Sequence, residues 1–201
     1  MIGQIGYLGQ VSLPVAVTSA LLYTLGATFS AALIGLALAS LGLAGRWLFD
    51  LGYNSHTPAV LISMACLALI GGLRDLGFLR FRLPQPAKQV PRAYLEVFGP
   101  RLAGFLWGLG VGFAFQTMVQ YSLYYVVALW VVLAGNPLLG AGVLGVYGFA
   151  HGVVLTLDVL AMGANARLHA GLLGEGRTGF FFRFGGAALL ACAVILAAQS
   201  A

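Results

Sequence analysis

The sequence predicts an all-α integral membrane protein: six transmembrane helices arranged as two inverted three-helix repeats. Three observations predict it. Of 201 residues, 61% are hydrophobic and only 7% are charged, whereas a soluble domain is about a quarter charged. Apolar runs long enough to cross a hydrocarbon core of about 30 Å recur along the whole chain. One basic, proline-rich stretch divides those runs three and three.

Composition narrows the class further. The mean hydropathy is +0.98. Glycine supplies 29 residues, which suits close helix packing in lipid. Ten Lys/Arg stand against five Asp/Glu. In a membrane protein that excess marks cytoplasmic loops, so nucleic acid is not expected as a partner. The expected surroundings are the lipid bilayer and, within it, other membrane subunits or a second copy of the chain. The N-terminus, MIGQIGYLGQVS, lacks a basic leader and a cleavage pattern. The first apolar segment therefore reads as part of the mature protein.

The first span is expected over residues 4–25, with Pro14 kinking or breaking it near Gln10–Pro14, because proline removes a backbone donor and clashes one turn back. A tight turn is read at Gly26–Thr28, and an Ala/Gly-rich second span over 29–48. A polar loop over 49–57 and a third span over 58–76 follow. Residues 74–101 hold six of the ten basic residues and four of the seven prolines, which makes them a cytoplasmic linker. The repeats are thus 1–76 and 101–201, joined by 77–100.

The fourth span, Gly104 to Leu133, is the centre of the design. It is uncharged, yet Gln116, Thr117, Gln120, Tyr121, Ser122, Tyr124 and Tyr125 gather in its middle. Gln116, Gln120 and Tyr124 share one helix face. A glutamine facing lipid leaves its amide unmet, so this row is expected to face other helices or a wet cavity near Pro14. Gly135-Asn136-Pro137 signals a turn. A fifth span over 138–162, a polar loop over 163–179 and a sixth span over 180–199 complete the chain. The basic residues place loops 74–101 and 163–179 in the cytoplasm. Six spans then put both termini outside an inner membrane. Three spans, a linker and three spans form a transporter-like layout, with its site at the midplane.

That layout resembles the CcdA/DsbD-like membrane proteins of the wider LysE-like group, and among them CcdA relatives of the MauF type. The echo rests on Leu83-Pro84-Gln85, Gln89-Val90-Pro91, Phe98-Gly99-Pro100, Gly108, Gly112 and Thr117. The resemblance implies the scaffold of that cytochrome c biogenesis-like group. Its electron carriers use one cysteine in the first span and one in the fourth, exchanging disulfides. Here those places hold Ser12-Leu13-Pro14 and Thr117-Met118-Val119, while Cys66 and Cys192 fall in the third and sixth spans. The chemistry is therefore not expected. The two thiols read as buried and inert.

The candidate substrate-binding residues are Pro14, Gln116, Thr117, Gln120, Tyr121, His151 and Asp158. His151 is an intramembrane histidine between small residues and so a functional candidate by default. Gly148 and Gly152 leave room for a planar macrocycle, so axial ligation of a haem or chlorophyll-type pigment is conceivable. A packed, hydrogen-bonded histidine is preferred, and no cofactor is expected. Asp158 lies two turns along the same face. It either pairs with a base such as Arg167 or titrates in a relay with His151. For the glutamine row, interhelical glue is preferred to a substrate path. No phosphate loop, nucleophile–base pair or metal cluster is legible, so no enzyme is expected. The reading is a small-solute or ion transporter-like protein. The alternative is a non-catalytic subunit or assembly factor of a larger respiratory, photosynthetic or maturation complex.

Overall fold

A computed structural model describes residues 12–49, 57–81, 83, 93–113, 122–164 and 176–200. Among these residues the chain forms six helices: α1 Leu13–Leu48, α2 Pro58–Asp75, α3 Ala93–Gly112, α4 Ser122–Ala134, α5 Pro137–Ala164 and α6 Gly176–Ser200. Three helical stretches, Leu13–Leu48, Pro58–Asp75 and Pro137–Leu157, are long and apolar enough to cross a membrane. The apolar stretches Ser122–Ala134 and Gly185–Gln199 are shorter. The all-helical membrane class is thus as expected, whereas three boundaries differ.

The first difference is α1. The expected turn at Gly26–Thr28 is absent, and 36 residues run as one helix, about 54 Å at 1.5 Å per residue. Gly26 serves contact instead of a turn: a Cβ there would strike the Phe105 carbonyl of α3. Thr28 keeps its hydroxyl on its own helix, donating to the Thr24 carbonyl at 2.7 Å. Two antiparallel spans are replaced by one helix, so the parity that put both termini outside no longer follows. Pro14 lies in the first turn of α1, where its missing N–H costs nothing and its fixed φ suits the helix. Residues 1–11, on which the expected kink or break near Gln10–Pro14 in part falls, lie outside the described residues.

The second difference lies in the linker, where Ala93–Pro100 is already helical. Gly99 breaks that helix with φ 69° and ψ 171°, and Pro100 restarts it. The positive φ is one that glycine adopts without strain. The third is the fourth span. Its helix ends at Gly112 and a new one begins at Ser122, with residues 114–121 outside the described part. The turn at Gly135-Asn136-Pro137 forms as read. Gly135 has φ 55°, and the Asn136 side-chain oxygen accepts the Leu139 N–H at 3.1 Å, capping α5 with Pro137 in its first turn.

The chain divides into two compact units. Unit 1 comprises Met1–Ile34, Gln85–Met118 and Ala141–Gly174; unit 2 comprises Gly35–Pro84, Val119–Gly140 and Glu175–Ala201. In unit 1, α1 turns small residues inward: Ala16, Ser19, Ala20, Ala27, Ser30 and Ala31 are buried, while Leu21, Leu25, Phe29 and Leu33 are exposed. This inside-out pattern is the signature of lipid as solvent. Burying leucine between helices gains nothing there, so close approach of small residues drives packing. Gly104, Gly108 and Gly112 of α3 press onto the α1 backbone at Ser19, Tyr23 and Ala27 in turn. Both series ascend together, so α3 runs parallel to this part of α1. Gly148 meets Ala27 and Gly152 meets Thr24, so α5 runs antiparallel to it.

In unit 2, α2 and α6 pack antiparallel. Gly72 faces Gly186, and Ala68 packs with Leu189 and Ala193. Gly42 of α1 sits on the Val132 backbone of α4. The thiols expected to be buried are both exposed: Cys66 on α2 and Cys192 on α6. They lie on outward faces beside exposed Leu67 and Val194, where the interior is reserved for still smaller groups.

Candidate functional site

Among its described residues, unit 1 contains a polar constellation that is partly buried. Tyr23 of α1 is 2% exposed. Its ring centroid lies 6.4 Å from that of His151 on α5, tilted by 33°. Tyr147, one turn before His151, stacks on it with centroids 6.4 Å apart and planes at 24°. At the next residue of α1, the Thr24 hydroxyl lies 3.2 Å from the Thr156 hydroxyl of α5. Both threonines also bond back to their own helices, Thr24 to the Ala20 carbonyl at 2.9 Å and Thr156 to the Gly152 carbonyl at 3.0 Å. The phenol oxygen of Tyr23 is buried and has no hydrogen-bond partner among the described residues. A buried polar group left so costs about 1–3 kcal/mol, which makes it the anomaly of this unit.

Tyr23 also forms part of the wall of a small crevice of about 10 Å³. Ala20 and Leu155 line it, with Pro100, Gly104 and Trp107 of α3. The break at Gly99–Pro100 shapes that wall, and Gly104 lets α3 lie against α1 beneath it. Trp107 is 5% exposed and packs with Tyr23, Ala27 and Leu155. The lining carries no charged side chain.

A second polar cluster lies in unit 2. The Asp75 side chain at the end of α2 is fully buried. It accepts the Ser122 N–H at 2.9 Å, the Ser122 hydroxyl at 2.8 Å and the Arg74 guanidinium at 2.7 Å. Sequence alone makes Arg74-Asp75 a snorkelling interface pair. The structure instead makes Asp75 the cap of α4, an acid set against a helix N-terminus. At the other end of α4, the Arg46 guanidinium donates to the Leu133 carbonyl.

Of the residues expected to bind substrate, the structure brings His151 into the constellation. Pro14 lies in the first turn of α1, nine residues before Tyr23, roughly 13 Å away along the axis. Asp158 is on α5, but its side chain lies outside the described part. Gln116, Thr117, Gln120 and Tyr121 lie outside the described residues. Tyr124, which extends their row, is buried in unit 2 and meets Tyr125 edge-on at 5.8 Å. Tyr23, Tyr147, Trp107 and the Thr24–Thr156 pair were not legible as a site. The available signal was the i, i+4 pair Tyr147/His151 within a glycine-rich span.

Curated proteins share this sequence pattern. The methylamine utilization protein MauF of Methylorubrum extorquens is 32% identical over 139 residues, covering 69% of this chain and 46% of that protein. MauF of Paracoccus versutus is 30% identical over 149 residues, covering 74% and 51%. The chain is a distant homologue of the MauF proteins. MauF of Methylophilus methylotrophus gives the same picture at 29% identity, covering 69% of this chain and 52% of its own. The chain spans about half the length of these curated relatives. No family model matches it, and no solved structure does. The homology to MauF bears out the resemblance to relatives of the MauF type.

Proposed function

We propose that the chain is an inner-membrane protein of amine utilisation that handles a small solute in unit 1, transporter-like and without thiol redox chemistry or catalysis. The observation that carries this reading is the MauF homology along 69% of the chain, since MauF is by name a methylamine utilization protein. Two features support it. The cysteines are exposed on α2 and α6, away from the places where the electron carriers need them. The buried Tyr23 and the half-buried Tyr147 and His151 give unit 1 polar atoms that lipid does not require. The basic linker 74–101 faces the cytoplasm in this proposal. An inverted repeat would need the first and fourth spans antiparallel. Because α1 and α3 run parallel, the proposal is made without it.

The experiment is deletion of the gene in its own host, followed by growth with methylamine as the sole nitrogen source. A growth defect specific to methylamine is expected, restored by the intact gene; unimpaired growth would overturn the reading. One observation favours the alternative, a non-catalytic subunit or assembly factor. Within unit 1 the helices meet glycine to backbone, at Gly104, Gly108 and Gly152, leaving no polar passage among the described residues. A stable partner retained on a sizing column in mild detergent would select that alternative.

A further inference from the structure

We propose that the turn closing α2, residues 76–81, docks on anionic phospholipid, with the Arg80 guanidinium on the lipid phosphate and Phe78, Leu79 and Phe81 set among the acyl chains. The turn is built, not trailing. Gly77, at φ 90°, donates its N–H to the Arg74 carbonyl at 2.9 Å. The N–H groups of Phe78 and Leu79 both return to the Leu73 carbonyl, at 2.9 and 3.3 Å. Glycine takes that positive φ without strain and closes a helix this way. Arg74 holds the far end. Its Nε donates to the Phe81 carbonyl at 3.3 Å, and its guanidinium carbon lies 5.9 Å from the Phe81 ring centroid.

The outer side chains of this turn do not suit water. Phe78 is 76% exposed, Phe81 44% and Leu79 39%. Helix α2 is long and apolar enough to cross a membrane, so a turn that follows its last residue sits at a membrane surface. Exposed apolar groups interleaved with a basic one lie at the boundary of acyl chains and headgroups. Charge selects the headgroup. Arg74 is matched by Asp75 at 2.7 Å. Arg80 is exposed and makes no ion pair among the described residues, so one cation of the turn is left for an anionic lipid to match. A two-fold contact between copies through this patch would bring its own cations together.

The test uses the full chain in nanodiscs of equal parts phosphatidylglycerol and phosphatidylcholine. The discs are dissolved in mild detergent, and the lipid that stays on the protein is read by native mass spectrometry. Phosphatidylglycerol is expected to be retained over phosphatidylcholine. Arg80→Gln should cut that preference about fivefold, the worth of one basic residue at an anionic surface. The control is Arg101, an exposed cation on α3; Arg101→Gln should leave the preference as it is. Phe78→Ser should release lipid of both kinds without changing the elution volume of the protein on a sizing column. Five results would overturn the proposal. The parent shows no preference, or Arg80→Gln keeps it. Arg101→Gln loses as much, which would make the attraction diffuse. Excess inorganic phosphate strips the lipid, which would make this a site for free phosphate. Phe78→Ser elutes as a smaller assembly than the parent, which would make the patch a contact between copies. The preference and the phosphate arm use the parent protein alone and stand even if a variant misfolds.

Discussion

The Tyr23 carbonyl occupies the space that a side chain at position 108 would need. Gly108 is therefore a requirement of the α1–α3 contact, and a methyl group there must push two backbones apart. Gly108→Ala should lower stability by about 1–3 kcal/mol, the usual cost of overpacking. Gly142 is the control, since nothing lies within 4 Å of its added Cβ. Gly142→Ala should be neutral or raise stability by up to about 1 kcal/mol through helix propensity. Thermal unfolding of both variants in one detergent decides it. Equal melting points would show that the α1–α3 contact is looser than described.

Asp75 should matter more than an interface charge would. Asp75→Ala strips the acceptors from the Ser122 N–H and hydroxyl and should cost at least about 1–3 kcal/mol. Ser122→Ala, which keeps the N–H contact, should cost only about 1 kcal/mol. Because the residues share one network, the double variant should fall short of the sum. Additive losses in a double-mutant cycle would mean that the contact contributes no coupling.

The cysteines should be dispensable. With both thiols on outward faces, Cys66→Ala combined with Cys192→Ala should change stability by no more than about 0.5 kcal/mol and leave growth on methylamine intact. A folded double variant that fails to support growth would restore the redox reading.

Asn54 and Lys88 flank α2 in the sequence, so one crossing by α2 places them on opposite sides of the membrane. The basic linker puts Lys88 inside. Single cysteines at each position, labelled in intact cells with a membrane-impermeant reagent, should react at 54 and not at 88. The reverse pattern would invert the topology.

The elements that were legible in the sequence carry punctuation that lipid does not alter. Pro58 opens α2, and Gly135-Asn136-Pro137 separates α4 from α5, because missing donors and positive φ act locally. Gly26 misled because in a membrane glycine more often marks a contact than a turn, and the contact lies on a helix some eighty residues away. Asp75 was read as an interface charge for the same kind of reason: Ser122, its partner, is 47 residues further on. At the site, His151 was visible as a titratable group in an apolar run. Tyr23 and Trp107 were not, since aromatic residues are ordinary at lipid interfaces and only burial singles these two out.

Helix α4 has 13 residues, about 20 Å, too short to span a hydrocarbon core of about 30 Å. Its first residue is held by Asp75 and its last turn by Arg46, an acid and a base matched to the two poles of its dipole. Both sockets belong to segments that leave the ribosome before α4 does. The two charges also write a direction into it, since an α4 placed upside down would set like against like at both ends. Exchanging the acid and the base would reverse that polarity signal while leaving the composition of the chain unchanged.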